Sequence, residues 1–263
     1  MLQDVRTALR SLSRMPALAA AAVLALALGV GSSGAIYAFI DKLLLRPFDF
    51  SVQGLAMVTE ASIASDRNEV SAGLFEDWRT QSRSFERLSG YVWWYTNLTG
   101  THEPEHLLGY QVTADLFDTL GVQPALGRSF APGEDQPGRS HVAVLSHELW
   151  QRRFGGDPAV LGRAAVLDGE SYSVIGVMPA GFHFPKAVQL WTPLVITREM
   201  IDRRGDHDLF GIGRLRPGIT LADAQRDLQR ITEEAQARFP GQDPGHWAHV
   251  YDLRDYGDPQ ARV

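Results

Sequence analysis

Residues 102–106 read His-Glu-Pro-Glu-His, a full match to the HExxH pattern. In a zinc hydrolase that spacing sets two imidazoles one helical turn apart as metal ligands, with the glutamate as general base. Here Pro104 sits at the centre of the motif, and the flanking stretches 98–101 (LTGT) and 107–112 (LLGYQV) suit a turn and a strand. A proline inside a helix removes a hydrogen bond and clashes with the preceding turn, so a hairpin turn without metal is expected. Asp206-His207-Asp208 offers hard and imidazole ligands, but three adjacent side chains in regular structure do not face one ion. Ser146-His147-Glu148 places the members of a hydrolytic triad side by side. Triads are assembled in space, and Ser146 has the simpler reading of a helix N-cap. Arg204-Gly205-Asp206 spells an integrin-type tripeptide and Asn97-Leu98-Thr99 a glycosylation acceptor, each meaningful only in a fitting exposed loop and host. The sequence contains neither a nucleophile elbow nor a GxxxxGK(S/T) phosphate loop. The expectation is therefore a protein that is not an enzyme, with no catalytic, cofactor-binding or metal-binding residues.

The elements that carry these residues alternate between strand and helix. A strand is expected over 55–60, then a helix capped by Ser71 that carries Leu74, Phe75, Trp78, Phe85 and Leu88 and ends at Gly90. Residues 91–98 and 107–113 read as strands around a polar turn. In the aromatic run 91–95 (YVWWY), strand alternation turns about half of the rings to a core and leaves the others for a binding surface. A short helix over 114–120 stops at Gly121, a strand follows over 141–145, and a helix over 146–154 is closed by Gly155. Asp157-Pro158 begins a further helical turn with the cap and the N1 proline in order. Asp168-Gly169 between two alternating runs is the strongest hairpin signal in the chain. A strand over 209–215 and the turn Pro217-Gly218 precede a long helix. Thr220 and Asp223 open it as a capping box, and Leu221, Ala224, Leu228, Ile231 and Ala235 share one face. A last strand is expected over 247–253. The fold class is mixed α+β.

The N-terminal forty residues differ in kind. Residues 17–40 contain no charged side chain, and at about 1.5 Å per residue they reach roughly 36 Å, enough to cross a hydrocarbon core of about 30 Å. Arg6, Arg10 and Arg14 precede this span against the single acid Asp4, which keeps the N-terminus cytoplasmic and puts the rest of the chain outside. The apolar run is too long for a usual signal core and lacks a clean small-x-small site at its end, which favours an anchor over a cleaved leader. Leu2, Val5, Leu9 and Leu12 recur at helical spacing beside the arginine row, so residues 1–16 are expected as an amphipathic helix at the inner lipid surface. Within the span, Ala21, Ala25, Gly29 and Ser33 form a small-residue ridge suited to packing against another membrane helix.

Composition limits the remainder. The net charge is −6, the only lysines are Lys42 and Lys186, and no basic stripe interleaved with aromatics offers a nucleic-acid surface. The absence of cysteine excludes disulfides and thiolate metal sites.

Taken in order, several blocks resemble the permeases of the MacB/FtsX-like group of ABC transporters. They are the opening 4–48, the segment 77–91 (DWRTQSRSFERLSGY), the segment 105–130 (EHLLGYQVTADLFDTLGVQPALGRSF), residues 142–185 with their hairpin, LWTPL at 190–194, and 213–231 (GRLRPGITLADAQRDLQRI). The resemblance implies a periplasmic core domain with a porter-like part at 55–120 and 209–253. A smaller strand-rich part is inserted at 121–203, 41–54 serves as a connector, and 254–263 starts a further connection. It also implies a mechanical transmitter at the bacterial inner membrane, paired in a permease dimer, driven by a separate cytosolic ATPase and in contact with a periplasmic adaptor. Family members continue into three further membrane helices where this chain ends at Val263. A lone span cannot line a transport path, so the chain is read as part of a longer permease or as a product that needs a partner chain. The alternative is a single-span anchored binding or scaffold module without ATPase coupling.

Overall fold

In the computed structural model, strand β1 (Leu55–Ala61) is buried along its whole length. Leu55 and Met57 enter one core, while Ala56 and Val58 enter another on the opposite face. The structure describes residues 48, 50–100, 103–185, 188–242 and 244–256, together with Leu24, Leu26, Ala27, Gly29 and Gly31. Those last five are helical and exposed. The expected helix 1–16 with Arg6, Arg10 and Arg14, the ridge residues Ala21, Ala25 and Ser33, and most of the span 17–40 lie outside the described residues. Among the described residues, no helix is long and apolar enough to cross a membrane. The chain divides into two units, Met1–Pro47 and Phe48–Val263, and β1 opens the regular structure of the second.

After β1 come β2 (Val70–Ser71), α1 (Ala72–Gln81), β3 (Phe85–Thr99), β4 (Glu105–Val112), α2 (Leu116–Leu120), β5 (Leu126–Gly127) and β6 (Val142–Leu145). Next are α3 (His147–Phe154), β7 (Ala164–Leu167), β8 (Glu170–Val177), β9 (Leu190–Pro193), α4 (Arg198–Asp202), β10 (His207–Leu215), α5 (Leu221–Arg238) and β11 (Trp247–Asp252). One sheet runs in the order β11-β1-β10-β3-β4-β9-β6-β8-β5, with β2 beside β10 and β7 beside both β3 and β8. The pairs β4–β9 and β6–β8 are parallel. Strands from 55–120 and 207–252 thus fill one end of the sheet, and those from 126–193 the other.

Local signals account for many of the boundaries. Ser146 Oγ accepts from the Leu149 amide at 3.1 Å, and Gly155 closes α3 in the left-handed region at φ 66°. Thr220 and Asp223 form the capping box of α5, with the shorter Asp223 in the role that Glu or Gln usually takes. The β7–β8 hairpin turns on Asp168 and Gly169, both at positive φ (48° and 87°), as a tight hairpin of this kind requires.

The expected helix over 71–90 is corrected. Its cap is right, because Ser71 Oγ accepts from the Leu74 amide at 3.3 Å, but α1 ends at Gln81 and Phe85 and Leu88 lie in β3. The stop comes from a residue far away in sequence. Asp227 on α5 accepts from the Arg83 amide at 2.8 Å, the Ser84 amide at 3.1 Å and the Ser82 hydroxyl at 2.8 Å. The Arg83 and Ser84 amides are thereby withheld from the helix, whose last bond runs from the Ser82 amide to the Trp78 carbonyl, and the chain turns out into a strand. Gly90 ends no helix. It lies in β3, where an added Cβ would meet the Phe75 ring at 2.9 Å, so its role is to let α1 approach the sheet.

Helices α1 and α5 cover one face of the sheet, where Leu74, Phe75, Trp78, Leu228 and Ile231 are buried. Trp78 Nε1 donates to Thr232 Oγ1 at 3.0 Å and ties the two helices together. On the opposite face an aromatic core gathers Tyr91, Tyr110, Phe117, Phe182, Phe184 and Trp191. A third cluster, with Leu145, Leu149, Val160, Leu167 and Val174, packs α3 on the far end of the sheet.

Candidate functional site

The two ends of the domain meet on one aromatic ring. Phe48 and Phe50, in the segment that leads into β1, stand 6.1 Å from Phe184, each measured between ring centroids. Tyr256, just past β11, stands 6.3 Å from the same ring. Phe184 is fully buried and reaches on to Tyr91 of β3 at 5.6 Å. Phe50 also packs on Phe182 at 5.6 Å, and Phe182 packs on Trp191 at 5.4 Å. Trp191 Nε1 donates to the Phe184 carbonyl at 3.1 Å, which fixes the loop that carries both phenylalanines.

The electrostatics of this cluster are those of a neutral body. Burial, followed by the neighbouring phenol of Tyr256, pushes the Tyr91 hydroxyl well above its ordinary value. Burial does the same for Tyr110, Tyr251 and Tyr256. Phenols of this kind stay protonated at neutral pH and do no acid–base work. Edge-to-face and tilted rings at these separations can pass a displacement from one segment to another, because close-packed interiors transmit strain.

The residues singled out by their sequence spacing do not assemble. His102 lies outside the described residues. Glu105 and His106 are neighbours on strand β4, which points them to opposite faces. The Glu105 carboxylate pairs with Arg152 at 2.6 Å and Arg153 at 3.4 Å, while His106 stacks on Tyr95 at 5.6 Å. His207 Nε2 is 3.0 Å from the buried carboxylate of Glu60, and Asp206 pairs with Arg203 at 3.9 Å. Arg204 is withdrawn from any tripeptide display: it pairs with Asp77 at 2.7 Å and lies 4.0 Å over the Phe239 ring. Asn97 donates through Nδ2 to Asp168 at 2.8 Å. Among the described residues, no three His, Cys, Asp or Glu side chains are placed to hold a metal ion. Of the small-residue ridge, Gly29 alone is described, helical and exposed.

In the aromatic run 91–95, strand alternation turns only Trp94 to the opposite face, where it packs half-buried on the third cluster, and the other three rings divide along the strand instead. Tyr91 is fully buried, whereas Trp93 is 45% and Tyr95 60% exposed on the same face. Sequence reasoning misses the convergence on Phe184, whose one trace along the chain is the density of phenylalanine at 48, 50, 182 and 184.

Relatives agree with this architecture. The chain aligns at 26% identity over 125 residues with the macrolide export ATP-binding/permease protein MacB of Burkholderia thailandensis, covering 46% of the chain and 19% of that protein. Among solved structures, a permease-protein domain from Porphyromonas gingivalis superposes with a TM-score of 0.61 at 17% identity, over 78% of this chain and 93% of that one. The periplasmic region of MacB from Actinobacillus actinomycetemcomitans gives 0.56 at 10% identity, over 76% of this chain and 89% of that one. The extracellular domain of the noncanonic ABC-type transporter YknZ from Gram-positive bacteria gives 0.55 at 10% identity, over 74% and 98%. At such identities these likenesses speak for the fold. A family model, the MacB-like periplasmic core domain, matches residues 19–231, and the chain belongs to that family.

Proposed function

We propose that this chain is a component of an ABC-type permease whose extracytoplasmic domain relays conformational change between the membrane and a substrate or partner. The observation that carries the reading is the meeting of Phe48, Phe50 and Tyr256 on Phe184, so that segments at both ends of the domain contact one buried ring. Displacement entering there reaches β3 through Tyr91 and β9 through Trp191. In this reading residues 17–40 span the inner membrane, Ala21, Ala25, Gly29 and Ser33 face other membrane helices, and Arg6, Arg10 and Arg14 lie against lipid phosphate. The domain stands in the periplasm, 55–120 and 209–253 act as its porter-like part, and 121–203 is the inserted part. A permease dimer, a separate cytosolic ATPase and a periplasmic adaptor are the partners proposed with it.

The test is to purify the full gene product from its own membranes, reconstitute it in lipid nanodiscs, and place spin labels at the exposed Ile63 and Arg139. Co-purification of a nucleotide-binding subunit, with an ATP-dependent change in label distance that Phe184→Ala abolishes, supports the relay. A product that holds no such subunit and does not respond to ATP is an anchored scaffold instead.

A further inference from the structure

The outer half of β3 has an open edge, and its position is set by strand registers. Tyr91 is paired on both sides, with Val112 of β4 and Phe210 of β10. Leu98 is also paired on both sides, with Glu105 of β4 and Leu167 of β7. Strand β4 therefore runs unbroken along one edge, while β10 and β7 share the other with a gap between them. Asn97 is closed by the tip of the β7–β8 hairpin, where its amide donates to Asp168 Oδ1 at 3.0 Å and its carbonyl accepts from the Asp168 amide at 3.0 Å. Residues 92–96 have no strand beside them on that edge among the described residues.

Successive residues of a strand direct their amide and carbonyl groups to alternate edges. Asn97 directs its pair toward β7, so Tyr95 and Trp93 direct theirs into the gap. These are also the residues whose side chains are exposed. Native sheets blunt an open edge with lysine, proline, a bulge or a covering loop. The segment Val92-Trp93-Trp94-Tyr95-Thr96 has no charge, proline or glycine. It is an unguarded edge with two aromatic rings on display.

We propose that this gap is a docking site for an extended segment of a different polypeptide, which enters as an added strand between β10 and β7. Four backbone groups of Trp93 and Tyr95 hydrogen-bond it, and alternate apolar side chains of the segment pack on the two exposed rings. The gap, not the rings alone, selects the occupant. Neighbouring strands stand about 4.8 Å apart, so β10 and β7 project beyond the β3 edge on both sides of it. Two copies of this chain would collide through those strands before their recessed edges could pair, which excludes a symmetric β3–β3 contact. A slender segment of about five residues, roughly 17 Å long, fits. Its ends are basic: the exposed Asp208 lies where β10 leaves β3, and the exposed Asp168 closes the other end. The site does not depend on coupling to an ATPase.

The experiment uses the full chain in nanodiscs and a short synthetic peptide that alternates valine and threonine between terminal lysines. Hydrogen exchange at the Trp93 and Tyr95 amides and tryptophan fluorescence are followed during titration. The expected result is saturable binding with at least tenfold slower exchange at those two amides. Methylating alternate peptide amides, which keeps every side chain, should weaken binding at least tenfold, and Trp93→Lys should do the same without changing the far-ultraviolet circular dichroism. Equal binding of the methylated peptide overturns the proposal, because the rings alone would then be the site. Slow exchange at both amides before any peptide is added overturns it too, since the chain itself would fill the gap. So does the absence of binding, or a fluorescence shift on empty anionic vesicles that matches the shift with peptide.

Discussion

The two halves of β3 are built from similar residues and meet opposite fates. In the inner half, Phe85 and Leu88 are buried under α1 and α5, and Tyr91 is buried in the aromatic core on the other face. In the outer half, Trp93 and Tyr95 continue the face of Tyr91, yet both stand in solvent. Ring type does not separate them, and neither does strand propensity. The difference is the neighbour: β10 runs beside the inner half and leaves after Tyr91. A strand's chemistry is thus decided by what is laid against it, and the same aromatic pattern makes a core at one end and a surface at the other.

Removing the ring that seals the inner half should have the largest effect. Phe184→Ala takes a fully buried ring from contact with Phe48, Phe50, Tyr91 and Tyr256. A loss of about 3–5 kcal/mol is expected, with the upper end reached if the surrounding loops cannot collapse into the space. Denaturant unfolding of the purified chain followed by tryptophan fluorescence checks it. A loss below about 1 kcal/mol would mean that the two chain ends are not held by this ring.

The next effect concerns where β3 begins. Asp227 turns the chain out of α1 by accepting from Ser82, Arg83 and Ser84, and it also meets Arg230 at 3.1 Å. Burial pushes its carboxyl up, but the amide of Arg83, the hydroxyl of Ser82 and the Arg230 guanidinium outweigh that and hold it below the usual range. Asp227→Ala leaves those donors without their acceptor and should cost about 1–3 kcal/mol at neutral pH. The lowered carboxyl sets the sign with pH. Its contribution is complete above the unfolded value of about 3.9 and is lost as pH falls through the lower folded value. Wild type and variant should therefore converge in stability in the acid range, as unfolding curves at a series of pH values would register. A constant difference down to low pH would assign the effect to packing.

Much of the fold was legible because its signals are local. The caps at Ser71, Ser146 and Thr220, the left-handed Gly121 and Gly155, and the Asp168-Gly169 hairpin each specify a few neighbouring dihedrals, and each is found in place. The helix expected through Phe85 and Leu88 failed because the residue that ends it, Asp227, is 145 positions from Ser82. Strands β2, β5 and β9 and helix α4 leave no trace in the sequence pattern. They are two to five residues long, too short for any period to show. The YVWWY run was legible as a strand with one face out, yet its open edge was not, since an edge is defined by the strands that are missing beside it. The meeting at Phe184 depends on residues drawn from 48 to 256, and no pattern along the chain announces that.

The smallest effect should come from the outer half itself. Trp93→Thr with Tyr95→Thr keeps β-branched residues on the strand and leaves the backbone edge intact. What it removes is the contact of Trp93 with Tyr110 at 4.9 Å, its edge contact with Phe210 at 6.4 Å, and the stack of Tyr95 on His106. Cross-strand pairs of this kind contribute about 0.2–1 kcal/mol each, and both residues are already about half exposed. The double variant should therefore lose about 1 kcal/mol or less in the same unfolding experiment, well under the loss at Phe184. An equal loss would mean that the outer rings are structural and that the two halves of β3 do not differ in kind. A small loss leaves two large aromatic side chains in solvent with little part in holding the fold, and their use then lies in what they contact outside it.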